Sequence, residues 1–139
     1  FVHCPDSNIN VRSGIAPVKD YLRKKIKIGL GSDVAGGHKI GMNEAIVRAV
    51  QLSKVLAVQT GETPITISEA FYLGTRGGGE FFGDIGCFNS GFSFDALIIE
   101  DDSLIVENYS VEDRLEKFLY TGDDRNIKQR YVNGKIIDR

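Results

Sequence analysis

The first third of the chain alternates short apolar runs with one amphipathic segment. Residues 1–4 form an apolar run that a proline ends, which predicts a strand. The polar and glycine-containing residues 6–14 predict a loop. A proline begins residues 17–24, whose apolar positions share one helical face, so this segment predicts a helix. Residues 26–30 are a second apolar run, and the three elements together predict a βαβ unit with parallel strands.

The middle of the chain has the period of surface helices. Residues 43–58 place apolar side chains on one side, and Glu44 and Arg48 stand four apart on the other, which predicts an ion pair on the solvent face. Thr66 and Glu69 have the spacing of a capping box, which predicts a helix through residue 73. The glycines at 77–79 predict that this helix ends or bends there.

From residue 83 onward the hydrophobic period becomes two, which predicts strands near residue 88, at 94–99 and at 104–106. Residues 111–120 predict one more helix. Asn133 and Gly134 readily take the positive φ angles of a tight turn, so residues 131–137 predict a hairpin. We therefore expect an α/β unit over residues 1–82 and a mostly β unit over residues 83–139.

Composition narrows the class of protein. The 139 residues are 42% apolar and 26% charged, as in ordinary soluble domains. A net charge of −2 argues against nucleic acid or an anionic membrane as partner, and no apolar run reaches the roughly 18 residues that span a bilayer. Two cysteines without a metal-binding motif predict a reduced, cytoplasmic protein. Because the chain opens with Phe1 rather than Met, we expect it to begin inside a larger protein.

The strongest candidate for a catalytic or metal-binding residue is Asp33. It follows the second apolar run and enters a glycine-rich loop, and α/β folds place catalytic and metal-binding groups at that end of their strands. The alternative is that Asp33 only caps the following turn. His3 lies near the end of the first strand, where it is either a ligand beside Asp33 or, more commonly, a packing residue bonded to a neighbouring loop.

Other polar residues near these strand ends have simpler interpretations. Ser7 and Asn8 either lock their loop by bonding nearby backbone, the commoner role, or contact a substrate. His38 stands among glycines, which predicts a solvent-facing side chain. Cys4 and Cys87 fit small buried apolar positions better than nucleophiles. The Gly-Ser-Asp order matches no phosphate-binding loop.

The number of available metal ligands sets a limit. Zinc takes about three or four nitrogen, sulfur or carboxylate donors. The predicted strand ends supply Asp33 and, at most, His3. We expect that this chain alone holds no catalytic metal tightly.

Three sequence blocks together resemble the C-terminal third of the guanine deaminase family, in the amidohydrolase superfamily. They are His-Cys-Pro-Asp-Ser-Asn at 3–8, Gly-Leu-Gly-Ser-Asp-Val-Ala-Gly-Gly at 29–37, and Lys-Phe-Leu-Tyr-Thr-Gly-Asp-Asp-Arg-Asn-Ile at 117–127. The first two blocks also suit other purine deaminases of the superfamily, whereas the Asp-Val-Ala-Gly-Gly ending of the second block and the third block narrow the match to this family.

The resemblance implies a fold and an activity. The fold is a distorted (β/α)₈ TIM barrel, of which residues 1–82 would be the last two strands and their helices, with residues 83–139 as the C-terminal share of a composite β-sandwich. Asp33 would bind Zn²⁺ and take the proton from the water that attacks guanine, which gives xanthine and ammonia. The other zinc ligands would lie upstream of Phe1, in the remainder of the chain. We also expect a cytoplasmic homodimer that acts on a small molecule.

The sequence departs from the family pattern at two places. Ser32 replaces the usual threonine before the aspartate, which keeps the hydroxyl, and residues 75–80 differ from the usual Gly-Gly-Ala run. No His-x-His pair occurs in the chain. Two alternatives stay open: a related deaminase for another aminated heterocycle, and a non-catalytic scaffold of the same fold.

Overall fold

The computed structural model of the chain describes residues 1–104 and 108–137. In chain order, two helices separate the first two strands, two more helices follow the second strand, and one helix separates the third strand from the last two. The helices are α1 (Pro5–Asn10), α2 (Val18–Arg23), α3 (Met42–Thr60), α4 (Ile67–Tyr72) and α5 (Val111–Thr121), and the strands are β1 (Val2–His3), β2 (Gly29–Leu30), β3 (Ala96–Ile99), β4 (Ile127–Val132) and β5 (Lys135–Ile137).

The first two strands pair in parallel, as the βαβ prediction requires. Val2 lies opposite Gly29, and His3 lies opposite Leu30. The ladder is shorter than the two apolar runs suggested. Helix α2 confirms the predicted helix to within a residue, with Pro17 as its N-cap. The residues that follow each strand therefore open at the same edge of this sheet.

The prediction of a loop over residues 6–14 is wrong in its first half, because α1 occupies residues 5–10. Pro5 stands at the start of this helix, where its fixed φ is already helical, and Asp6 lies in the first turn, where a carboxylate favours the helix dipole. The polar composition of the segment concealed these two start signals.

Helix α3 confirms the predicted long helix and forms one side of the core. It ends at Gly61, which takes a left-handed φ of 75°. The predicted Glu44–Arg48 pair is wrong: Glu44 forms an ion pair with Lys39, whose Nζ lies 3.0 Å from Glu44 Oε1, and Arg48 binds Asp6 instead. The buried core consists of Val18, Ile28, Leu30, Ile46, Ala49, Val50, Ile65, Ala70, Leu73 and Leu119.

Helix α4 begins with the predicted capping box between Thr66 and Glu69. Helical order changes into a π-helical segment at Leu73–Gly77 and ends after Gly79, which confirms the predicted end at the glycines. Gly29 of β2 lies so close to this segment that a Cβ on it would be 2.8 Å from the Gly78 Cα. The glycines thus let a strand and a helix approach backbone to backbone.

The second sheet has the order β3-β4-β5 and is antiparallel throughout. Asn133 and Gly134 both have positive φ, which confirms the predicted hairpin. Residue 88 lies outside these strands, and of the strand predicted at 104–106, Leu104 lies in a turn while residues 105–106 fall outside the described residues. No helix in the described part of the chain is both long and apolar enough to cross a membrane.

Candidate active site

Asp33 stands at the carboxyl end of β2, three residues after Leu30, and its side chain is exposed. Its φ of 47° is in the left-handed region, which is unusual for a residue with a side chain. The Gly37 N–H donates to the Asp33 carbonyl at 2.6 Å and closes a tight turn around it. The loop therefore holds the carboxylate on a strained turn at the edge where both parallel strands end.

Helix α1 lies against this turn. A Cβ on Gly36 would be 2.7 Å from Ser7 Oγ and 2.9 Å from Asp33 Oδ2, so only glycine leaves room for both oxygens. Ser7 is buried, with 6% of its surface exposed. The structure thus brings together Ser7 and Asp33, two of the residues singled out from the sequence.

An open groove of about 520 Å³ runs along the face of the sheet that carries Asp33. Phe1 and Tyr21 also line it, and their rings meet edge to face with centroids 5.4 Å apart. Both polar and apolar side chains line the groove. Its lining includes Val2, Cys4, Ser7, Asn8, Tyr21 and Asp33.

His3 lies on the opposite face of the sheet. Val2 and Cys4 line the groove, and His3 between them does not, because side chains alternate along a strand. Only 2% of His3 is exposed, and its Nδ1 has no hydrogen-bond partner among the described residues. Burial lowers the pKa of His3 to about 4, an effect that the Asn8 side chain partly offsets. At neutral pH this histidine is therefore an uncharged packing residue.

Asn8 locks the loop that follows α1. Its side-chain amide donates to Ser13 Oγ at 2.8 Å, and its backbone carbonyl accepts a bond from the Ser13 N–H at 3.0 Å. The Asn8 side chain therefore fixes the loop through a hydroxyl rather than through the backbone bond that the sequence led us to expect. The contribution of His3, Ser7 and Asn8 to a reaction stays a prediction.

Cys4 is a second ionisable group on the groove. Burial raises the pKa of its thiol, and the negative charge of Asp33 raises it further. The thiolate, which is the reactive form, is therefore disfavoured. Cys4 fits the expected small apolar position rather than a nucleophile.

A cluster of charged and titratable side chains next to this loop was not predicted from the sequence. It consists of Asp6, Arg48 and His38. Arg48 Nε donates to Asp6 Oδ1 at 2.8 Å, and His38 Nδ1 lies 3.5 Å from Asp6 Oδ2. His38 is half exposed, in keeping with the solvent-facing position expected for it, yet it faces this carboxylate. The Pro-Asp pair at the start of α1 was the one local signal that pointed here.

The metal-binding capacity of the described residues is small. No group of three or more histidine, cysteine or acidic side chains among them could hold a metal ion. Asp33 offers a carboxylate at an open groove, which suits one ligand position of a zinc site. The remaining donors must come from elsewhere for such a site to form.

Comparisons with known proteins place this geometry among hydrolases. The amidohydrolase family model matches residues 1–137. The guanine deaminase of Rattus norvegicus is 46% identical to this chain. The match covers 99% of this chain and 33% of the rat protein. The chain thus spans about a third of the length of this curated relative.

Solved structures agree with this match. A crystal structure of guanine deaminase from C. acetobutylicum, with guanine bound in the active site, is 47% identical and superposes with a TM-score of 0.95 over 99% of this chain and 33% of that one. An adenosine deaminase from Xanthomonas campestris with bound zinc shares the fold at 24% identity, with a TM-score of 0.81 over 97% of this chain and 31% of that one.

Proposed function

The chain belongs to the amidohydrolase family, and we propose that it is the C-terminal third of a zinc-dependent guanine deaminase, which hydrolyses guanine to xanthine and ammonia. The observation that carries the proposal is the position of Asp33, at the end of β2 beside an open groove. The choice of substrate is supported by the 47% identity of this chain to a guanine deaminase whose crystal structure contains bound guanine.

The proposed architecture assigns each sheet to a larger assembly. Strands β1 and β2 are the last two strands of a TIM barrel within residues 1–82, and residues 83–139 are the C-terminal share of a composite β-sandwich. The parallel pairing of β1 with β2 and the separate antiparallel sheet β3-β4-β5 support this division. The remainder of the protein would then cover the open strand edges.

Asp33 has two roles in the proposed reaction. It would occupy one ligand position of the zinc ion, with histidines from the rest of the protein in the others. Bound zinc supplies Lewis acidity, which lowers the pKa of water towards about 7. An Asp33 carboxylate oxygen accepts the proton of the water that adds to the amino-bearing ring carbon, and it returns a proton to the departing nitrogen. Ammonia leaves, the water oxygen stays on the ring, and Asp33 is again a carboxylate.

The neighbouring residues support Asp33 without taking part in bond formation. Ser7 packs against Gly36 beside Asp33, and Asn8 fixes the loop that follows α1. His3 fills the space behind β1 as a neutral side chain. We further propose a homodimer in the cytoplasm, where the free thiols of Cys4 and Cys87 stay reduced.

The test uses the intact protein loaded with zinc, with ammonia release from guanine as the assay. Asp33→Asn keeps the size of the side chain but cannot accept the proton, so we expect kcat to fall by about 10²- to 10⁴-fold. The matched control is Asp102→Asn, which removes an exposed carboxylate in the turn after β3 and should leave kcat unchanged.

Three outcomes would overturn the proposal. If Asp33→Asn keeps full activity, the carboxylate is not the proton carrier. If the wild-type protein releases ammonia from another aminated heterocycle and not from guanine, the substrate assignment is wrong. A protein with no activity on any aminated purine would instead be a scaffold of the same fold.

A further inference from the structure

Three residues of helix α1 contact the turn that carries Asp33. Asn10 Nδ2 donates to the Gly36 carbonyl at 2.8 Å. Ser7 Oγ lies 2.7 Å from the point that a Cβ on Gly36 would occupy, and Asp6 Cβ lies 3.3 Å from the corresponding point on Gly37. The glycines of the turn therefore pack directly on α1, which acts as a template for their backbone.

The turn needs such a template. The positive φ of Asp33 is unfavourable for a residue with a side chain, and conformations of this kind persist only where the surroundings hold them. The turn's own closing bond, from the Gly37 N–H to the Asp33 carbonyl, fixes its shape but not its position relative to the groove. Its position depends on what holds α1.

Asp6 joins α1 to both neighbouring elements. Its carboxylate is 8% exposed, and it accepts a bond from Arg48 Nε of α3 at 2.8 Å. Its other oxygen lies 3.5 Å from His38 Nδ1, in the loop between Asp33 and α3. Charge-assisted bonds are strong, and a carboxylate that is this buried is unfavourable without its partner, so the Arg48 pair pins α1 to α3.

We propose that Asp6 is a positioning residue for the reaction, which acts on Asp33 through helix α1 and the glycine turn. Asp6 does not line the groove beside Asp33; it lines a separate cleft with Arg48 and His38. Its ion pair with Arg48 fixes α1, and α1 fixes the turn through Ser7 and Asn10. The inference rests on the proposed function, because it assigns Asp6 the task of aiming the zinc-binding carboxylate.

The experiment compares Asp6→Asn with wild type in the intact zinc-loaded protein. Asparagine keeps the shape and can still accept the Arg48 bond, but it loses the charge. Residues that orient a metal ligand typically change metal affinity or activity by about 10- to 100-fold when substituted, so we expect a kcat loss of that size for guanine with KM nearly unchanged. We also expect faster loss of zinc to a chromophoric chelator, a readout that does not depend on turnover.

Asp101→Asn is the matched control. Asp101 is also buried, 8% exposed, and it accepts two bonds from Arg114 at 2.7 and 2.9 Å, far along the chain from the turn. Its substitution should lower the thermal midpoint while kcat and zinc retention stay at wild-type values. Equal losses in the two variants would mean general destabilisation and would overturn the proposal, as would an Asp6→Asn protein that keeps both kcat and zinc.

A second variant decides the matter if Asp6→Asn does not fold. Asn10→Ala removes an exposed side chain whose bond goes to the turn itself, and it should lower kcat and zinc retention several-fold. Unchanged values would refute the template role of α1. If wild type holds zinc but does not deaminate guanine, the proposed function fails while the zinc-loss comparison still tests Asp6. If wild type holds no zinc, both proposals fail.

Discussion

The buried His3 predicts a specific loss of stability in acid. Its side chain is 2% exposed, and burial holds its pKa at about 4 against an ordinary value of 6.5. Above pH 6.5 the histidine is neutral in the folded and unfolded states, so it contributes nothing to the pH dependence. Between pH 6.5 and about 4 the unfolded chain binds a proton that the folded protein excludes, and the free energy of unfolding therefore falls as the pH falls.

The size of this loss follows from the pKa difference. Each tenfold change in proton affinity is worth about 1.4 kcal/mol, so the full loss below pH 4 is about 3 kcal/mol. Between roughly pH 7 and pH 4.5 the loss is about 2 to 3 kcal/mol. That is a large fraction of the stability of an ordinary domain.

The assay is urea unfolding of the intact protein, followed by circular dichroism at both pH values, for wild type and His3→Gln. Glutamine does not titrate, and groups that titrate equally in both proteins cancel in the difference. On acidification, we expect the free energy of unfolding of wild type to fall by about 2 to 3 kcal/mol more than that of the variant.

Ser53→Ala is the control for this experiment. It removes a buried hydroxyl that accepts a bond from the Ile65 N–H at 2.9 Å, so it weakens the fold without changing a titrating group. Its stability should fall in parallel with that of wild type as the pH drops. If His3→Gln also follows wild type in parallel, the histidine is not held neutral and the argument from burial fails.

Four further results are expected from the packing. Leu73→Ala removes a fully buried side chain and should lower the free energy of unfolding by about 2–5 kcal/mol in urea titrations, with a smaller effect pointing to a collapsible site. Thr66→Ala removes the cap that accepts a bond from the Glu69 N–H and should lower the free energy of unfolding by about 1 kcal/mol, whereas Thr66→Ser keeps a capping hydroxyl and should lower it much less. Gly29→Ala places a Cβ 2.8 Å from the Gly78 Cα and should cost about 1–3 kcal/mol; a neutral effect would mean that the π-helical segment moves freely. Residues 1–139 expressed alone should associate, because β1 and β2 form a two-stranded sheet with open edges, and light scattering showing a cooperative monomer would contradict this.

The sequence by itself determined the elements whose signals are local. The capping box at Thr66 and Glu69, the hairpin turn at Asn133 and Gly134, and the period of α3 each depend on residues a few positions apart, and all appear as predicted. The position of Asp33 was also predicted from sequence, because an acid that closely follows a buried apolar run lies near a strand end wherever the sheet is placed. Such features need no knowledge of distant partners.

Tertiary structure alone decided which partner each polar group takes. Arg48 had a local candidate in Glu44 and bonds instead to Asp6, 42 positions away, because α1 brings a buried carboxylate against α3. The face of His3 was likewise undetermined until the sheet packed on the helices and left the groove on the other side. A local pattern fixes the period of side chains along an element, but only packing fixes which face is buried, and a buried charge takes the partner that packing supplies.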